Sequence, residues 1–281
     1  MQNFGILGDL FADPRATLIV LLLALPGRLL AISAHEAAHG WVADRCGDPT
    51  ARMLGRVTLN PLKHLDPVGL VCMLVLGIGW AKPVPVNPRN YRDYRRDDLK
   101  VSIAGVAMNL LLFAAGCIVM YAVIAAALAS IPVRASLNAA DALFRTTADG
   151  VPVLVSGRYY YYISDLLRYG IGLSDVLIAP AFGSVAGYAY QMLGYFVMTN
   201  LVLAIFNLIP LPPLDGYHVL NDLILKGRLF ATRQAQGISM AILYLAMFSG
   251  ALSEVLSRAY AGVLTGVGAL MSAVFRAFGL F

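Results

Sequence analysis

The sequence predicts an all-α polytopic membrane protein, a bundle of about five to six transmembrane helices with one short re-entrant or β-rich membrane-associated segment. Three observations carry this. Of the 281 residues, 59% are hydrophobic and only 13% charged, whereas a soluble domain has roughly 45–50% and about 25%. Mean hydropathy is +0.72. The apolar residues are gathered into runs near the roughly 20 residues a helix needs to cross hydrocarbon. The polar stretches between them leave no room for a soluble domain of ordinary size, so residues 1–281 are read as one domain. Nothing resembles a nucleic-acid module or a nucleotide-binding glycine loop. The net charge of +5 fits the basic loops of a membrane protein.

Taken in order, the N-terminal stretch up to Ala16 lacks the positive region of a cleavable signal, so the first apolar run is expected to be retained. The first span covers about 17–42. Pro26-Gly27-Arg28 interrupts it, and a kink or a restarted helix is expected there. Arg28 at that depth should face a polar interior or snorkel. From 44 to 98 the chain turns basic and proline-rich, with ten Lys and Arg against six Asp between Asp44 and Lys100. Its one apolar stretch, Val68–Trp80, is too short to cross as a helix and reads as re-entrant or interfacial. The run Lys82-Pro83-Val84-Pro85-Val86-Asn87-Pro88 cannot be helix interior. Its extended backbone offers an edge to which another strand could pair.

The second span covers about 99–131. The region 132–180 mixes polarity, with Arg134, Arg145, Arg158, Arg168 and Tyr159–Tyr162, and amphipathic helices lying on the membrane are expected. A third span, about 182–209, leads into Pro210-Leu211-Pro212-Pro213-Leu214-Asp215-Gly216. A polar segment with Lys226, Arg228 and Arg233 precedes C-terminal helices within 235–281. Cys46, Cys72 and Cys117 share no metal-site spacing and are odd in number, so they read as free thiols. The strongest positive bias, in Asp44–Lys100, places that segment in the cytoplasm. Alternating from there puts the N-terminus outside and the C-terminus inside, with His39 and Asp215 both near cytoplasmic span ends.

The first span ends in His35-Glu36-Ala37-Ala38-His39. Histidines at i and i+4 lie on one helix face, so both imidazoles can hold one Zn²⁺. Glu36, beside the first of them, can take a proton from water at the metal. The chain has four histidines and two glutamates, and three of those six fall in this one motif. Catalytic zinc takes three protein ligands, and Asp215 is the foremost third candidate. It follows an apolar span, is fixed by a proline-rich turn, and would be costly there without a cation. His218 and His64 compete. His64 reads first as a solvated loop histidine, and His218 as an interfacial residue or one behind the ligands. Asn207 and Asn109 are polar groups in apolar spans. Each fits a helix–helix hydrogen bond or a donor that positions the scissile peptide, the structural reading leading for Asn109.

On these residues the chain resembles the site-2 protease family of intramembrane zinc metalloproteases, in its compact prokaryotic branch without PDZ or CBS domains. The resemblance rests on His35-Glu36-Ala37-Ala38-His39 and on Asn207-Leu208-Ile209-Pro210-Leu211-Pro212-Pro213-Leu214-Asp215-Gly216. Gly47-Asp48-Pro49-Thr50-Ala51, the Leu59–Pro67 segment and the Gly79–Pro88 segment are also similar to that branch. It implies one Zn²⁺ per chain on His35, His39 and Asp215, with Glu36 as catalytic base and Asn207 holding substrate. It further implies a metalloendopeptidase of the cell membrane, cutting transmembrane protein substrates from a site toward the cytoplasm. The expected partners are that substrate and the lipid bilayer, with no nucleic acid or nucleotide, and a homo-oligomer is left open. Gly105-Val106-Ala107-Met108-Asn109 keeps the ends of the family's Gly-Pro-x-x-Asn pattern with Val106 replacing proline, so no proline kink is expected there. Two rivals stand beside this reading. A purely structural metal site would have no use for Glu36, and a metal transporter would need a ladder of ligands through several spans.

Overall fold

The computed structural model describes residues 11, 13–76, 79–129, 144–146, 152–156, 159–162, 178–225 and 232–277. The protein is an all-α membrane protein carrying one small sheet. Among the described residues, three helices are long and apolar enough to cross a membrane, Pro14–Cys46, Tyr94–Ala127 and Ser184–Asn207. The pair Gln234–Ala246 and Ala251–Met271 makes a fourth if it counts as one span.

Helix α1, Pro14–Cys46, starts where the Asp13 side chain caps the Ala16 N–H and Pro14 occupies the first turn. It runs unbroken through Pro26, so the expected restart of the helix does not occur. Leu18, Ile19, Val20 and Leu22 are exposed, an apolar surface suited to lipid. Near its other end the Arg45 guanidinium lies 4.6 Å over the Trp41 ring, a pairing at home where hydrocarbon meets water. Gly47 then closes the helix in a left-handed conformation, φ 110°, with its N–H on the last-turn carbonyls.

The segment expected to be re-entrant or β-rich holds a short helix α2, Thr50–Met53, and a ten-residue helix α3, Pro67–Leu76. At 1.5 Å per residue α3 is about 15 Å long, half of what crossing requires. Leu65 and Ala81 form an isolated antiparallel bridge, and the run Lys82–Asn87 joins no sheet, with Asn87 extended at φ −119° and ψ 96° and the residues before each proline held to extended backbone. Pro83, Pro85 and Pro88 remove the donors that a ladder would need. Helix α4, Tyr94–Ala129, continues straight through Val106. The helix α5, Ala179–Phe182, precedes α6, Ser184–Asn207, and α7, Asp215–Leu220, follows a turn. Helices α8, Arg233–Phe248, and α9, Ala251–Ala277, meet at Gly250 with φ 80°.

Amphipathic helices were expected across 132–180. The described residues there instead include an antiparallel sheet in the order β1-β2-β3, Phe144–Thr146, Pro152–Ser156 and Tyr159–Tyr162. Val155 pairs with Tyr160 and Ser156 with Tyr159. Val153 and Val155 are β-branched and the tyrosine run is aromatic, the residue types that fit a pleated surface. Residues 132–143, 147–151, 157–158 and 163–177, among them Arg134, Arg158 and Arg168, lie outside the described residues, as do Lys226 and Arg228.

The chain divides into two compact units. One comprises Met1–Phe113 with Thr199–Leu256, the other Ala114–Met198 with Ser257–Phe281. In the second unit, Met120, Tyr121, Ile124, Tyr190, Val197 and Leu264 are buried. A Cβ on Gly116 would come within 2.4 Å of the Val197 side chain, so glycine lets α4 and α6 approach closely. Cys46 and Cys117 are buried, and all three cysteines are free thiols.

In the first unit, the stretch after α1 is held by Asp48, which is fully buried. Its carboxylate accepts from the Thr50 N–H and hydroxyl, the Asn87 N–H at 2.6 Å and the Asn90 amide at 2.8 Å. Burial alone would raise its pKa, but these donors outweigh burial and hold the carboxyl below its ordinary value of 3.8. The Asp48 contribution to stability is therefore fully present above that ordinary value and is lost as pH falls through the lower folded value. Replacing Asp48 with Ala leaves several buried donors unpaired and is expected to cost about 3 kcal/mol. Thermal unfolding in detergent should show this loss at neutral pH, with the difference from wild type shrinking in acid.

Candidate metal centre

Helix α1 presents His35 and His39 on one face, and α4 presents Val101, Gly105 and Asn109 at i, i+4 and i+8 toward them. The His39 Nδ1–H donates to the Val101 carbonyl at 2.6 Å, and His35 Nδ1 lies 3.2 Å from Asn109 Oδ1. A carbonyl can only accept, so His39 carries its proton on Nδ1 and turns a lone pair inward on Nε2; the Asn109 oxygen does the same for His35. Asn109 is fully buried and its Nδ2 has no hydrogen-bond partner. Gly105 provides the room between these two contacts. A Cβ there would sit 2.5 Å from His35 Cε1 and from His39 Nε2.

The third group arrives on α7, whose first residue is Asp215. The turn before it closes on its own backbone, Leu211 N–H to Ile209 and Leu214 N–H to Leu211. The Ser239 hydroxyl donates to the Pro212 carbonyl at 3.3 Å. Gly216 must be glycine, because a Cβ would lie 2.3 Å from the Leu208 carbonyl oxygen. Two further ties join α7 and the residues after it to the start of α4. His218 Nδ1 lies 3.2 Å from Asp98 Oδ2, and Arg95 Nε donates to the Asp222 carbonyl at 2.7 Å. Burial and the neighbouring Asp98 carboxylate push Asp222 up to about 6. The hydrogen bond to Asp98 raises the pKa of His218.

The three groups converge. His35 Nε2 and His39 Nε2 are 3.1 Å apart, and Asp215 Oδ2 is 3.2 Å from the first and 3.4 Å from the second. Asp215 Oδ2 is buried and has no hydrogen-bond partner. Two imidazole nitrogens and a carboxylate oxygen this close form a set of donors that one cation can join. Metal–ligand bonds of 2.0–2.2 Å in a tetrahedron set ligand atoms about 3.3–3.5 Å apart, so the donor set fits one face of a zinc tetrahedron. Among the described residues, these are the group of His, Cys, Asp and Glu that could hold a metal ion.

Glu36 points its Oε2 at the Val84 N–H, 2.7 Å away. Val84 lies in the extended run, and that run is gripped from several sides. The Lys82 N–H donates to the His64 carbonyl at 2.8 Å, and Asp48 holds the Asn87 end. Arg56 Nη2 donates to the carbonyls of Lys82 at 2.7 Å and Pro83 at 3.2 Å. Arg56 is only 8% exposed and its Nε has no partner. Desolvating one ion costs several kcal/mol, and two bonds from a charged donor return about 1.5–3 kcal/mol each, so this arginine adds little net stability.

The other candidates sit elsewhere. His64 is 1% exposed, not solvated, and its Nε2 donates to the Thr58 carbonyl at 2.8 Å. Neither it nor His218 belongs to the convergent group. Asn207 Nδ2 donates to the Leu203 carbonyl one turn back in its own helix. Arg56 and the Val101 carbonyl carry no motif that sequence reasoning could have used, and Asp48 was visible only within the Gly47–Ala51 segment. Gly105 was visible only as one end of Gly105–Asn109.

Two substitutions probe the centre. Gly105→Ala should drive the imidazoles apart, and Asn109→Leu should free the His35 ring. Each is expected to weaken metal binding by about 10- to 100-fold, measured as metal retained after dialysis against a graded chelator.

Comparison with known proteins agrees with this geometry. Peptidase family M50 matches residues 23–249, which include all three converging side chains. YwhC of Bacillus subtilis (strain 168), named as a candidate zinc metalloprotease, is 33% identical over 220 residues, 78% of this chain and 77% of that protein. Rip2 of Mycolicibacterium smegmatis (strain ATCC 700084 / mc(2)155), named in the same way, is 33% identical over 116 residues, 38% of this chain and 44% of its own. No solved structure matches the chain significantly. With a match across most of its length and the motif-bearing residues inside that match, the chain belongs to Peptidase family M50.

Proposed function

We propose that the protein is a zinc-dependent intramembrane endopeptidase acting on transmembrane protein substrates. The observation that carries this is the convergence of His35, His39 and Asp215 with Glu36 one residue from the first of them. His35 and His39 through Nε2 and Asp215 through Oδ2 would hold one zinc ion per chain. When bound, zinc polarises the scissile carbonyl and lowers the pKa of water toward about 7. Glu36 accepts the proton of the attacking water and passes it to the departing amine as the C–N bond breaks and the C–O bond forms. Asn109 and the Val101 carbonyl keep both imidazoles in the ligating tautomer. In this reading Asn109 serves the metal site rather than the substrate. Asn207, at the end of α6, is the remaining candidate for holding substrate near the metal.

A helical substrate hides its carbonyls, so it must unwind before hydrolysis. The run Lys82–Pro88 supplies an extended template, in which the Val86 N–H has no partner among the described residues. The basic bias of Asp44–Lys100 favours a site that opens toward the cytoplasm. A purely structural metal is the weaker reading, because it needs no carboxylate beside the first ligand, and Glu36 would then serve only to accept from the Val84 N–H.

The test is cleavage of a model transmembrane substrate by the purified protein in proteoliposomes, together with metal analysis. Glu36→Gln should keep its zinc and lose about a hundred- to ten-thousand-fold in rate. Asp215→Ala should lose both zinc and activity. Cleavage by Glu36→Gln at the wild-type rate would sink the assignment.

A further inference from the structure

We infer that Arg56 is a positioning residue for the Glu36 carboxylate, acting through the peptide that joins Pro83 to Val84. The catalytic consequence rests on the proposed peptidase reading; the placement itself does not. The Pro83 C=O and the Val84 N–H are opposite ends of one planar peptide unit. Arg56 holds the oxygen end and Glu36 accepts from the nitrogen end. Turning that plane removes the donor from Glu36, so whatever fixes the oxygen fixes the carboxylate.

Other contacts leave this peptide as the weak point. Pro83 and Pro85 have no N–H, so the chain around Val84 has few backbone bonds of its own. The Lys82 N–H is anchored at His64 and the Asn87 N–H at Asp48, both outside the critical peptide. The Val84 side chain packs over Gly40, where a Cβ would meet Val84 Cγ1 at 3.2 Å. Gly40 is one turn beyond Glu36, so the Val84 side chain and N–H address the same face of α1.

Arg56 is itself built into place. Gly55 adopts a left-handed φ of 63°, and the Arg56 N–H returns to the Ala51 carbonyl at 2.9 Å. The side chain is buried, and among the described residues its polar contacts are the Lys82 and Pro83 carbonyls. A buried guanidinium without a carboxylate contributes little to stability, and the geometry gives it the placement of that peptide as its task.

The run has amides only at Lys82, Val84, Val86 and Asn87, because residues 83, 85 and 88 are prolines. Hydrogen exchange followed by mass spectrometry therefore reads Val84 almost by itself. In Arg56→Gln, Val84 exchange should accelerate by about tenfold or more while Asn87 stays slow. In the same variant kcat should fall about tenfold or more, with KM within about twofold and zinc retained. Arg56→Lys, which returns one donor to the carbonyls, should recover part of both losses. Unchanged Val84 exchange in Arg56→Gln overturns the inference, as does a kcat within twofold of wild type once the amide has been released. Should Arg56→Gln fail to fold, Arg56→Lys is read by the same two criteria against wild type. If wild-type protein cleaves no substrate, the peptidase reading fails and amide exchange still decides the placement.

Discussion

Three electron-rich atoms within 3.4 Å of one another are the constraint on which the first unit depends. Bringing them together takes packing and hydrogen bonds, and a cation among them would offset that cost. The surrounding features follow from that demand. Val101 and Asn109 remove the choice of tautomer. Gly105 removes the one side chain that would intrude. The closed turn at Ile209–Leu214 and the ties from His218 and Arg95 keep Asp215 from swinging out to water.

Much of this was legible in the sequence, for definite reasons. The histidine spacing encodes a shared helix face, and an aspartate after an apolar span and a proline-rich turn encodes an ion that needs a partner. The spans were legible because hydrocarbon tolerates little but long apolar helices. What sequence could not show was anything that depends on which strand of backbone lies beside which. His64 looks like a loop histidine because its neighbours are polar, and only the fold reveals that its ring is buried on the Thr58 carbonyl. Arg56 looks like one more positive charge in a basic segment. The sheet at 144–162 was missed because consecutive tyrosines fit a membrane interface and a strand equally well, and the charges scattered around them favoured the first.

The two asparagines show the same limit at finer grain. Both lie in apolar helices and both suited a hydrogen bond to a neighbour or a place near substrate. Asn109 is spent behind His35, four residues from the glycine that admits the rings. Asn207 is spent on its own helix, at the end from which the chain turns toward Asp215. The same residue type in two apolar helices has different surroundings, and only the packing around each helix separates them.

The prolines of the Lys82–Pro88 run have an effect beyond shape. An exposed strand edge normally invites any other edge, including that of a second copy, because its donors and acceptors repeat every two residues. Here the Lys82, Val84 and Asn87 amides are already engaged and Pro83, Pro85 and Pro88 have none to give, so among the described residues the Val86 amide is left over. An edge with one open donor cannot be matched by sliding. Were a guest strand to pair there, that amide would be a single index mark, setting which residue of the strand lies opposite without reading that residue's side chain.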